Sequence, residues 1–94
     1  MKADRLLREL HRLDDEAFAE IVVWKLPRAM PGSSHRFKYR LAYVVKSVCV
    51  IRYDNEAGKG DHRHIGRREQ PYEFVDLDSL QADFWRDVDE WRRK

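Results

Sequence analysis

The 94-residue chain reads as an α+β domain: an antiparallel β-meander of about four strands with a C-terminal α-helix packed on one face. Three observations predict it. "HRFKYRLAYVV", from His35 to Val45, is the clearest period-two stretch, with Phe37, Tyr39, Leu41, Tyr43 and Val45 on one face and Arg36, Lys38 and Arg40 on the other. The β-rich run "VCVIRYD" follows after only Lys46-Ser47, a spacing that calls for a tight hairpin. From Leu77 onward the apolar period changes from two to about 3.6, the period of a helix.

The elements follow in order. "RLLRELHRL", residues 5–13, suits a short helix or a strand; the acidic turn Asp14-Asp15-Glu16 is so short that a strand hairpin is favoured. "AFAEIVVWKLP" is a strand with Phe18, Val22, Trp24 and Leu26 on one side and Ala19, Ile21 and Val23 on the other, so a central position in the sheet is expected. "PRAMPGSS" is a loop. In the next hairpin, Cys49, Ile51 and Tyr53 face opposite to Val50 and Arg52. In the last segment Leu77, Leu80, Phe84, Val88 and Trp91 form one stripe, with Asp78 or Ser79 as N-cap. Acids near the start and Arg92, Arg93 and Lys94 at the end suit the helix dipole.

Composition sets the outer limits. Residues 1–94 suit a single domain with a small core, and 12% aromatic content argues against disorder. Charged residues make up 38% of the chain, against about 25% in ordinary globular proteins, so a heavily charged surface is expected. The single cysteine, Cys49, excludes a disulfide framework and a cysteine zinc cluster, and its apolar setting suggests a small buried hydrophobe. The expected setting is cytoplasmic, since no apolar stretch approaches the length of a signal peptide or membrane span.

The net charge of +2 is unevenly spread: residues 35–68 hold nine bases and three acids, whereas residues 69–94 hold four bases and eight acids. A basic middle attracts phosphate backbones or an acidic partner; it also neutralises the chain's own acidic tail.

The chemistry concentrates in "RYDNEAGKGDHRHIG", residues 52–66. On an extended segment His62 and His64 project from one face, with Asp61 and Arg63 on the other. Gly58 and Gly60 flank Lys59 in what reads as a turn, whose backbone N–H groups are candidates for cradling an anion. Arg52, Lys59, Arg63 and the stripe Arg36, Lys38 and Arg40 are candidate phosphate binders. These parts assemble a metal-independent ribonuclease, in which His62 and His64 exchange protons with the ribose 2′-hydroxyl and the leaving oxygen, and Asp54 or Asp61 orients an imidazole. No cofactor is required. A metal site built from His62, His64 and Glu56 is the alternative, weakened by the surrounding cations. The plainest reading is a solvated charged connection between strands. The three tryptophans read most simply as packing groups, with base stacking a minor option.

The string "YRLAYVVKSVCVIRYDNEAGKGDHRH", with "PYEF" and "LQADFWRDV" after it, resembles the TumE family of bacterial toxins, the toxic halves of type II toxin–antitoxin pairs. The likeness runs from "EIVVWKLP" through the terminal helix and is most specific over "RYDNEAGKGDHRH". It departs at Lys46-Ser47-Val48, where such proteins usually carry a glycine turn. The resemblance implies a small cytoplasmic protein, neutralised by a winged-helix DNA-binding antitoxin encoded beside it; RNA is a candidate substrate by analogy with other small toxins. A homodimer is one candidate assembly, which the sequence does not decide. The reading is therefore a toxin with endoribonuclease activity at His62 and His64. Its rival is a non-catalytic module binding nucleic acid or protein through a basic sheet face.

Overall fold

In the computed structural model, which describes residues 3–94, one antiparallel sheet carries one helix. The six strands run in simple meander order: β1 (Asp4–Asp14), β2 (Ala17–Lys25), β3 (Phe37–Val45), β4 (Val48–Glu56), β5 (Gly60–Ile65) and β6 (Arg68–Pro71), followed by α1 (Leu77–Arg92). The fold class is the one expected, and residues 5–13 are strand. The count of about four strands is corrected to six. The two unforeseen strands, "GDHRHI" and "REQP", carry almost no β-branched or aromatic residues; backbone pairing onto β4 defines them, not an apolar alternation.

The helix-facing side of the sheet holds the core. Ala17, Ala19, Ile21 and Val23 of β2, Tyr39, Leu41 and Tyr43 of β3, and Ile51 and Tyr53 of β4 pack against Leu80, Phe84 and Val88 of α1. Burying each of those three helix side chains contributes about 1.5–3 kcal/mol. Phe84 meets Tyr53 edge-on, with ring centroids 5.9 Å apart, and Trp85 reaches across to His11 of β1 at 5.2 Å. The helix thus spans the sheet from its first strand to its fourth. Its N-cap is Asp76, whose carboxylate accepts the Ser79 N–H at 2.7 Å, not Asp78 or Ser79 as the stripe alone suggested.

The hairpin between β3 and β4 turns on Lys46 and Ser47, both with positive φ, at 50° and 67°. That is the torsion pair of a tight two-residue turn, made here without glycine. Just beyond it, Tyr43 pairs with Ile51 but Val44 pairs with Cys49, leaving Val50 as an extra residue in a β-bulge. The bulge breaks the simple alternation, and Cys49 is consequently exposed rather than buried.

Candidate functional site

Register divides the residues of the 52–66 segment between the two faces of the sheet. Asp54 pairs with His62 and Arg52 with His64, while Arg40 of β3 pairs with Asp54. Side chains directly opposite in neighbouring strands share a face, so Arg40, Arg52, Asp54, His62 and His64 all project from the side that α1 leaves uncovered. Lys38 of β3 joins them, as do Arg5, Arg8 and Arg12 of β1, whose partners Trp24, Val22 and Phe18 are on the same side. Glu20, Glu56 and Glu69 temper this basic face.

At its chemical centre, Arg52 reaches His64 with its terminal nitrogen 3.1 Å from Nε2. A guanidinium only donates, so the ring accepts at Nε2 and carries its proton on Nδ1. Glu69 Oε2 stands 3.5 Å from the same Nε2. Arg52 Nε lies 3.1 Å from Asp54 Oδ2, close enough for charge attraction, yet its buried N–H is not aimed at that oxygen and makes no hydrogen bond. His62 has no side-chain hydrogen bond among the described residues. Two half-buried imidazoles, one accepting and one unengaged, therefore flank an arginine with an unused donor.

Asp61 and Arg63 lie on the opposite, helix-facing side. Asp61 accepts hydrogen bonds from the Tyr39 hydroxyl at 2.7 Å and from His35 Nε2 at 2.8 Å, so it orients His35 and neither of the two open-face rings. His35 Nδ1 in turn accepts the Phe37 N–H at 3.0 Å, which fixes the tautomer and ties the β2–β3 loop to the start of β5. Arg63 donates to the Tyr53 hydroxyl at 3.3 Å and stands 3.5 Å from Asp87, a buried helix carboxylate that also accepts from Tyr53. Burial, then the acids beside them, push the Tyr39 and Tyr53 phenols far above their ordinary value, so both stay protonated donors. Burial opposes the charge of Arg63, but Tyr53 and Asp87 more than offset it and hold the guanidinium more firmly protonated.

The glycine turn serves the fold. Gly58, at φ 80°, gives its N–H to Pro31 O at 2.7 Å, and Lys59 gives its own to Glu56 O at 3.2 Å. Those N–H groups are occupied, while Gly60, at φ 77°, opens β5. The Lys59 ammonium is on the turn, 3.8 Å from Glu56, away from Arg52 and His64. Arg36 precedes β3 and donates to Pro27 O at 3.3 Å, outside the strand stripe. Glu56 does not join His62 and His64: among the described residues no group of three or more His, Cys, Asp or Glu is placed to hold a metal ion.

Sequence reasoning left the arginines of β1 out of the basic face. Arg8 and Arg12 are four apart and so share a side of any strand; the strand reading of residues 5–13 already contained them. His35 had no comparable signal, because its partner Asp61 lies 26 positions away.

The fold is thus a small helix-backed antiparallel sheet whose uncovered face joins arginines to two imidazoles. The chain belongs to the TumE toxin family: the family model described as Toxin TumE matches residues 2–92, nearly its whole length. Its role is accordingly that of a toxin in a toxin–antitoxin system, and an antitoxin is its partner. No curated protein and no solved structure matches the chain. No helix among the described residues is long and apolar enough to cross a membrane.

Proposed function

We propose that the chain is a type II toxin acting in the cytoplasm as a metal-independent endoribonuclease, with the uncovered sheet face as its active surface. The observation that carries this reading is the Arg52–His64 contact of 3.1 Å beside the unengaged His62, on a face rich in cations. Arg52 occupies His64 Nε2 until a phosphodiester arrives. The anion then draws the guanidinium to itself, since charge-assisted contacts to phosphate are stronger than one to a neutral ring. His64 Nε2, released, removes the proton of the ribose 2′-hydroxyl; O2′ attacks phosphorus; the P–O5′ bond breaks; and His62, protonated, supplies the proton to O5′. The products are a 2′,3′-cyclic phosphate and a 5′-hydroxyl. Arg52, through the terminal nitrogen it turns from His64 to the phosphate, stabilises the charge that builds on the phosphorane oxygens.

The partner in this reading is a winged-helix DNA-binding antitoxin that neutralises by forming a complex. Leu10, Phe18 and Trp24, exposed on the same uncovered face, supply apolar area for such a contact. In cells, His62→Ala and His64→Ala each abolish growth inhibition while soluble yield and antitoxin co-purification persist. Full toxicity in both variants removes the catalytic assignment and leaves a module that binds nucleic acid or protein through its basic face.

A further inference from the structure

Beside the two imidazoles, one strand further into the sheet, the uncovered face is not flat. A groove of about 270 Å³ is lined there by Val22 and Trp24 of β2, Lys38 and Arg40 of β3, and Asp54 and Glu56 of β4. Asp54 is the cross-strand partner of His62, so the groove begins where the proposed chemistry ends. Its walls differ in kind. Trp24 is 36% exposed and offers a large aromatic surface, the residue type on which unpaired bases stack. The β3 wall carries cations and the β4 wall carries carboxylates.

We infer that this groove is a base-recognition subsite that selects guanine in single-stranded RNA next to the scissile phosphate. The inference rests on the proposed reading of this face as the RNA-contacting one. Guanine is the base whose edges match both walls. Its N1–H and N2 amino group are adjacent donors suited to a carboxylate, which only accepts, and its O6 and N7 are adjacent acceptors suited to Arg or Lys. Adenine and cytosine each offer a carboxylate a single exocyclic amino group, and uracil offers one ring N–H.

Asp54 is engaged by Arg52 at 3.1 Å, which leaves Glu56 as the carboxylate available to a base, and the other groups are only loosely held. Arg40 meets Glu20 only at 3.7 Å with half its side chain exposed, and Glu56 meets Lys59 only at 3.8 Å with 57% exposed. Lys38 is anchored by the Asn55 carbonyl, with further N–H donors remaining on its ammonium. Arg5 stands 6.0 Å from the centroid of the Trp24 ring.

The test is a titration of the intact chain with 3′-GMP, 3′-AMP, 3′-CMP and 3′-UMP, followed by the indole N–H signals of its three tryptophans. Trp85 and Trp91 belong to α1 on the other side of the sheet and serve as internal references. The expected result is a saturable shift of the Trp24 signal alone, with 3′-GMP binding about tenfold tighter than the other three. In Glu56→Gln that preference falls at least severalfold. Trp24→Leu, whose binding is followed by backbone signals of β3, loses affinity for all four nucleotides. Equal shifts with all four, or an unmoved Trp24 signal, overturn the guanine subsite.

RNA cleavage assayed on the same preparation separates the two ideas. Cleavage without preference for guanine and without a Trp24 shift removes the subsite and leaves the ribonuclease. Guanine-selective binding without cleavage supports the subsite and removes the ribonuclease.

Discussion

Tyr53 shows how a single hydroxyl couples the sheet to the helix. It donates to Asp87, a residue 7% exposed, and accepts from Arg63, so a buried carboxylate and a half-buried guanidinium both depend on it. Tyr53→Phe keeps the ring packing against Phe84 but strips Asp87 of a donor, and a loss of about 1–3 kcal/mol in denaturant unfolding is expected. The same phenols make stability sensitive to alkali. Burial first, then adjacent acids, raise Tyr39, Tyr53 and Tyr72 above the unfolded value of 10.0. A group whose folded pKa is raised contributes stability that is complete below the unfolded value and is lost as pH climbs toward the folded one. Stability is therefore expected to fall as pH rises above about 10, and less steeply in Tyr53→Phe.

The hairpin of β3 and β4 gives the sharpest element-scale expectation. Lys46 and Ser47 both occupy positive φ, which favours glycine or asparagine. Ser47→Gly is expected to stabilise the fold by about 0.5–1 kcal/mol, visible as a raised unfolding midpoint at unchanged denaturant slope; a destabilised variant contradicts this account of the turn. The hairpin, β2 and α1 were legible in sequence because period, turn length and apolar stripe all agreed there. β5 and β6 were not, since their backbones are organised by a neighbour instead of by their own side chains. The bulge at Val50 was hidden for a related reason: one extra residue leaves composition untouched and changes only the pairing. Of the site, the shared face of His62 and His64 followed from alternation alone, and so did the opposite placement of Asp61 and Arg63. What alternation does not supply is which side α1 covers. That choice is set by where Leu80, Phe84 and Val88 find tyrosines and aliphatics to bury against.

As a whole, the molecule is a sheet with two unlike faces, measuring 40 × 24 × 22 Å. One face is a thin core under a helix; the other mixes charged side chains with exposed Leu10, Phe18 and Trp24. Under the proposed function this face meets RNA by releasing counterions, so association is expected to weaken with salt, and each phosphate contact removed flattens the log–log slope by about 0.7. Lys38→Ala with Arg40→Ala tests this by titration of single-stranded RNA at several ionic strengths; an unchanged slope means that these cations do not meet the backbone.

The long strand β1 leaves its outer edge open at one end of the sheet, interrupted by irregularities at Leu6 and Leu13 and studded with Arg5, Arg8 and Arg12, features that discourage edge-to-edge pairing between copies. The most direct test of the whole account is incubation of the purified chain with a defined single-stranded RNA in excess chelator, followed by analysis of the new ends. Cleavage to 2′,3′-cyclic phosphate and 5′-hydroxyl termini, lost in both His62→Ala and His64→Ala, is the predicted result. RNA left intact, or cut equally by both variants, contradicts it.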